Sequence, residues 1–227
     1  MKLLLTSAGI KNPSIRDAML ELLGKPIKDC DALAIPTASY GHYSFAGAWR
    51  FINGVSPTPM VELGWKSLGT LEVTALASLD QAVWLPQLQE ADVLLANGGD
   101  ALYLAHHMRE SGLAKLLPSL NSVWVGLSAG SMVMTPRIGE DFKKWDPPGG
   151  GDKALGIVDF AICPHLAPDG EPGNSMAEAE AWAAGMDVPC YAVDDQTAFK
   201  WVDGEVEIVS EGNWTMLTDR TPSQAAS

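Results

Sequence analysis

An α/β fold built on a doubly wound, mostly parallel sheet flanked by helices is predicted by three features of the sequence. Short apolar runs rich in β-forming residues recur at 3–6, 32–35, 92–96 and 123–127, as expected of strands buried on both faces. Segments with apolar residues at helical spacing lie between them. Several of these strands run into small-residue turns: Ser7-Ala-Gly9, Asn97-Gly-Gly-Asp100 and Ser128-Ala-Gly130. In such a sheet, sites gather at the carboxyl ends of the strands, so these turns should share one edge.

The composition is consistent with one globular domain. Of 227 residues, 47% are apolar and 19% charged, and no linker-like stretch divides the chain, so residues 1–217 are expected to form a single domain and 218–227, which lack periodicity, a frayed tail. The net charge of −13 argues against a nucleic-acid or anionic-membrane partner, both of which require a basic face. The apolar run at Met1 to Leu5 is too short for a signal peptide or a membrane span, which points to the cytoplasm. Cys30, Cys163 and Cys190 are far apart and odd in number, so they are expected to be reduced core thiols rather than disulfide partners or a zinc site.

Taken in order, residues 3–6 form the first strand. Asn12-Pro13 then start a helix as N-cap and first helical residue, with Ile15, Ala18, Met19, Leu22 and Leu23 on one face and Gly24 capping the end. The second strand, 32–35, stops at Pro36 and opens a loop carrying Ser39, Tyr40, His42 and Tyr43. Residues 44–52 and 59–68 are expected to be helical and 71–75 a third strand, with Trp49 and Trp65 in the core. A helix over 80–91, bent or interrupted at Pro86, precedes the strand 92–96. Residues 101–111 form a helix with Leu102, Ala105 and Met108 inward, broken by Gly112 before 113–120. Beyond Met134 come a glycine-rich turn or lid at 147–151, a strand at 160–164, a helix at 177–186 and strands at 190–193, 198–202 and 205–209. Asp203-Gly204 joins the last two as a hairpin, so the C-terminal third should add antiparallel strands.

The chemistry centres on Gly126-Leu-Ser-Ala-Gly130. A G-x-S-x-G sequence between a buried strand and a helix is the pattern of a nucleophile elbow, in which small neighbours let a sharp turn expose a serine hydroxyl. Ser128 is the candidate nucleophile, and the helix from Ala129 directs its N-terminus at any oxyanion formed there. A serine nucleophile needs a base and a group to orient it. Of the four histidines, His106 and His107 are adjacent on a helix and diverge around its axis, which suits neither a shared metal nor the serine; one surface and one half-buried residue are expected there. His42 lies in a polar loop. His165 follows a strand and begins a loop able to reach the elbow, which makes it the candidate base. Asp194 and Asp195 end the strand 190–193, and either could orient the imidazole.

The succession Asn97-Gly-Gly-Asp100, Gly126-Leu-Ser-Ala-Gly-Ser131, Cys163-Pro-His165 and Tyr191-Ala-Val-Asp-Asp-Gln-Thr-Ala198 resembles the peptidase E group of serine peptidases, which also includes cyanophycinases. The resemblance spans nearly the whole chain and implies a class I glutamine amidotransferase-like fold with serine in place of cysteine. It implies that Ser128 is the nucleophile, His165 the base and Asp195 the orienting acid, and that the amides of Gly99 and Ala129 form the oxyanion hole. It implies a cytoplasmic peptidase acting on short peptides, needing no cofactor and no metal; pairing into a homodimer is left open.

Two positions depart from the family pattern. Asp100 stands where asparagine usually follows the two glycines, and Gly173 to Glu180 contain no arginine, whereas aspartyl dipeptidases of this type carry one there to grip the substrate aspartate. A preference not confined to N-terminal aspartate is therefore expected, because an unpartnered carboxylate is costly to desolvate. Asp100, Tyr40 and His42 are candidate substrate-binding residues. The competing readings are an aspartyl dipeptidase with a different carboxylate-binding residue, an amidase or esterase on a non-peptide substrate, and an inert binding protein on the same scaffold.

Overall fold

The computed structural model describes residues 1–41, 45–168 and 170–218. His42, Tyr43, Ser44 and the expected tail beyond Thr218 lie outside the described residues. In chain order the elements are β1 (Lys2–Thr6), α1 (Pro13–Leu23), β2 (Asp31–Ile35), α2 (Ala38–Gly41), α3 (Phe45–Ile52), β3 (Ser67–Thr70), α4 (Val73–Leu76), α5 (Gln81–Glu90), β4 (Val93–Ala96), α6 (Ala101–Glu110), α7 (Leu113–Leu116), β5 (Val123–Leu127), α8 (Ala129–Met132), β6 (Ala161–Cys163), α9 (Met176–Ala184), β7 (Cys190–Val193), β8 (Thr197–Val202), β9 (Glu205–Ser210) and β10 (Trp214–Thr218).

A seven-stranded sheet runs β3-β2-β4-β5-β1-β8-β9. The first five strands are mutually parallel, and the β8–β9 hairpin is added antiparallel to β1. Side chains alternate across a strand, so neighbours in sequence enter opposite cores. Leu3, Leu5, Leu94 and Trp124 face one core, and Leu4, Val93, Leu95, Val123 and Val125 the other. That two-sided burial is why these strands are apolar throughout.

The C-terminal third does more than extend this sheet. β6, β7 and β10 form a second sheet, β10-β7-β6, packed with α9 around Cys163, Ala179, Trp182 and Cys190. The last strand, β10, takes in Thr218, which the sequence reading assigned to the tail. The three cysteines are buried thiols.

Helix α1 begins as expected: Asn12 Oδ1 accepts from the Ile15 N–H at 2.9 Å, Pro13 occupies the first turn, and Gly24 closes the helix in a left-handed conformation. Helix α5 runs through Pro86 without interruption. The proline removes one hydrogen bond, to the Ala82 carbonyl, and both residues are exposed, so water can serve that carbonyl.

Residues 56–76 depart from expectation. No helix forms over 59–68, because its acceptors are committed elsewhere: the Pro59 carbonyl accepts from Ile10 N–H at 2.9 Å and the Met60 carbonyl from Trp65 Nε1 at 2.9 Å. The third strand is Ser67–Thr70, a largely exposed edge strand lacking an apolar run, and the expected strand 71–75 gives way to a helical turn, Val73–Leu76, capped by Glu72. Trp65 packs partly buried against the core. Trp49, also expected inside, is 55% exposed.

Candidate active site

The elbow is shaped by what surrounds it. β5 ends at Leu127, and Ser128 adopts φ 50°, ψ −109°, a region a non-glycine residue occupies only when its neighbours hold it there. The end of β1 does so: the Thr6 carbonyl accepts from the Ser128 N–H at 3.0 Å and from Ser131 Oγ at 2.8 Å. The flanking glycines are required by close approach. A Cβ on Gly126 would stand 2.3 Å from the Gly130 carbonyl oxygen, and one on Gly130 would stand 2.3 Å from that of Ala96.

The chain brings His165 and Asp195 to this serine from the small sheet. His165 Nε2 is 3.0 Å from Ser128 Oγ, and His165 Nδ1 is 2.7 Å from Asp195 Oδ1. An ionised carboxylate can only accept, so Nδ1 carries the proton and Nε2 is left to accept from the serine hydroxyl. The His165 side chain is 38% exposed and that of Asp195 48%, so the constellation lies at an open rim. The hydrogen bond from His165 is the main cause holding the Asp195 carboxyl below the usual carboxylate range, opposed by partial burial and helped by Ser7 and Lys11.

Asp194, the alternative acid, is turned away. Its Oδ1 accepts from Gln196 N–H and Thr197 Oγ1, both at 2.9 Å, and its Oδ2 accepts from Asn213 N–H.

The Asn97-Gly-Gly turn lies against the elbow: a Cβ on Gly98 would be 3.5 Å from Ser128 Cβ. Gly99 has φ 142°, and a Cβ there would collide with the Ala38 carbonyl at 2.2 Å. α2 braces the turn, with Ser39 Oγ donating to the Gly98 carbonyl at 3.0 Å and Asp100 N–H donating to the Ala38 carbonyl at 2.8 Å. Among the described residues, neither the Gly99 nor the Ala129 N–H has a protein acceptor.

Of the three residues offered for substrate binding, His42 lies outside the described residues. Asp100 is 1% exposed and its carboxylate is used internally: Oδ1 caps α6 through Tyr103 N–H at 2.8 Å, and Oδ2 accepts from Trp145 N–H at 2.8 Å and Lys144 N–H at 3.2 Å. Tyr40 is half-buried beside Phe45, and burial, with the Glu72 charge, pushes its hydroxyl up to about 12. His106 and His107 lie on α6 with ring centroids 5.0 Å apart. Both are half-buried rather than one being at the surface, and the His106 ring packs against Trp145.

Two side chains had no sequence signal. Ser7 donates to Asp195 Oδ1 at 3.2 Å and accepts from the His165 backbone N–H at 2.8 Å. Arg50 lines a cavity of about 260 Å³ together with Ser39, Gly47, Ser56, Pro57 and Asn97-Gly98-Gly99. Among the described residues no carboxylate pairs with it.

The model of peptidase family S51 matches residues 3–209, which include the elbow, the histidine loop and both aspartates. The chain belongs to peptidase family S51. It is on that ground a serine-type peptidase. No match was found among curated proteins. Among solved structures, this S51 peptidase is similar to a protein from Listeria monocytogenes EGD-e provisionally designated peptidase E, with 18% identity, TM-score 0.68, and 93% of this chain and 98% of that one covered. It is also similar to a peptidase from an acI-B1 Actinobacterium, with 19% identity, TM-score 0.65, and coverage of 97% and 91%. At such identities the likeness shows a shared fold.

Proposed function

We propose that this S51 peptidase hydrolyses short peptides, with Ser128 as nucleophile, His165 as general base and acid, and Asp195 as the group that orients the imidazole. The observation that carries this reading is the continuous hydrogen-bonded path from Ser128 Oγ through His165 to Asp195 Oδ1. Ser128 attacks the scissile carbonyl as its proton passes to His165 Nε2, and the imidazolium then returns that proton to the leaving amine. Water, deprotonated by the same nitrogen, releases the acyl group. The Gly99 and Ala129 N–H groups are the donors available to the tetrahedral oxyanion, each worth on the order of 3 kcal/mol.

The test is Ser128→Ala assayed against a library of short peptides, with labelling of the parent protein by a fluorophosphonate. Loss of both turnover and label in a folded variant supports the assignment, and undiminished peptide hydrolysis ends it. Acyl esters in the same panel separate a peptidase from an esterase by kcat/KM.

Arg50 favours one narrower reading. The stretch 173–180 lacks a cation, but the cavity beside Gly98-Gly99 contains one. A guanidinium there can hold a substrate carboxylate through two parallel hydrogen bonds, so selectivity for acidic peptides is supplied from α3 rather than from the loop after His165. Comparing Asp-X and Ala-X dipeptides on the parent protein and on Arg50→Ala tests this: the reading requires a preference for the acidic substrate that the variant loses.

A further inference from the structure

Ser7 stands at the end of β1, on the large sheet, whereas His165 and Asp195 follow β6 and β7 of the small one. It is 1% exposed, and its own N–H donates to the Thr197 carbonyl at 3.2 Å. Its hydroxyl has only one possible polarity. A backbone N–H can only donate and an ionised carboxylate can only accept, so Ser7 Oγ takes its hydrogen bond from His165 N–H and gives its proton to Asp195 Oδ1. One buried oxygen thus touches the backbone of the base and the side chain of the acid.

We infer that Ser7 is a positioning residue of the active site, whose hydroxyl fixes His165 and Asp195, in the segments that follow β6 and β7 of the small sheet, against the end of β1 in the large one.

The backbone of His165 gives this contact its weight. With φ 57°, His165 occupies the left-handed region, which is unfavourable for a residue with a side chain and persists only where surrounding bonds enforce it. Both of its backbone polar groups are engaged: N–H by Ser7 Oγ, and the carbonyl by Asn174 N–H at 2.8 Å. Removing the Ser7 oxygen leaves the N–H of a strained residue without its acceptor and takes from Asp195 Oδ1 one of its two donors. The charged groups around that carboxylate are His165 and Lys11, which attract it, and Asp194 and Glu171, which line the cavity beside it. Ser7 is the neutral donor among them.

The inference rests on the assignment of Ser128, His165 and Asp195 above, and the experiment separates the two. Ser7→Ala and Ser7→Thr, the latter keeping the hydroxyl, are compared with the parent protein by thermal melting, steady-state kinetics over pH, and the proton resonance of His165 Nδ1–H. In Ser7→Ala, kcat is expected to fall about tenfold with little change in KM. The acidic limb of kcat/KM should move to higher pH, because the Asp195–His165 pair, one donor poorer, takes up a proton more readily. The Nδ1–H resonance should shift, and Ser7→Thr should restore all three readouts toward the parent. A folded Ser7→Ala protein with unchanged kcat, acidic limb and resonance overturns the inference; so does activity that falls only in proportion to the folded fraction. If Ser128→Ala remains active, the catalytic assignment fails instead. Comparing the resonance in Ser128→Ala with that in Ser128→Ala/Ser7→Ala then reads the Ser7 link without turnover.

Discussion

Asp194 and Asp195 are consecutive in the chain, yet their carboxylates serve opposite sides of the turn. Asp195 Oδ1 meets His165 Nδ1 at 2.7 Å, whereas Asp194 Oδ1 binds Gln196 N–H and Thr197 Oγ1 within its own turn. Substitution should separate the two roles. Asp195→Asn should lower kcat by about 10³ to 10⁴, because the amide favours the wrong imidazole tautomer. Asp194→Ala should leave kcat within a few-fold of the parent and cost about 1–2 kcal/mol of stability, through the loss of turn hydrogen bonds. Kinetics and urea denaturation on the two variants check both expectations.

The packing at the elbow leaves no room for a methyl group. Gly126→Ala and Gly130→Ala each place a Cβ 2.3 Å from a backbone oxygen, and backbone cannot swing aside as a flexible side chain can. Each should destabilise the protein by about 3 kcal/mol or more. A lowered melting temperature, with loss of activity at temperatures where the parent is fully folded, is the expected result.

The depressed titration of Asp195 has a defined sign. A carboxyl held below its ordinary range by His165 contributes stability that is complete above that range and is lost as pH falls through the folded-state value. The stability difference between the parent and Asp195→Asn should therefore be steady near neutrality and shrink on acidification below the ordinary carboxylate range. Denaturation midpoints across an acid series measure it. The group is about half exposed, so the difference should be modest and reduced by salt.

Cys163 should be inert in the folded protein. Burial pushes its thiol up to about 12, and the thiolate is the reactive species. An alkylating reagent at neutral pH should leave native Cys163 unmodified and label it once denaturant unfolds the chain, as peptide mass spectrometry will show.

The parts of this molecule that the sequence made legible are those governed by local pattern. Val123 to Leu127 is apolar throughout because β5 is buried on both faces, and Gly126 and Gly130 mark the turn after it because neighbouring backbone approaches each of them closely. His165 was recognisable by its place after a strand. What stayed hidden depends on tertiary partners. Ser7 looks like any small residue at a strand end until His165 and Asp195 fold against it. Residues 59–68 are expected to be helical, but Ile10 and Trp65 claim two carbonyls that the helix would need. Residue type alone favours the core for Trp49, and nothing in its sequence neighbours shows that α3 presents it outward. Arg50 lies on the same short helix, and its tie to the Gly98-Gly99 turn exists only in three dimensions.

The division of the site between two sheets makes turnover a gauge of how firmly they stay packed through the core they share, which holds Ile162 and Val193 of the small sheet with Leu3 and Trp124 of the large one. The proposed nucleophile follows a strand of one sheet and its proposed proton acceptor a strand of the other, so a loosening of less than an ångström at the seam would silence the enzyme while each sheet kept its own hydrogen-bond ladder. On gentle heating, hydrolysis should fade before the far-ultraviolet circular dichroism changes.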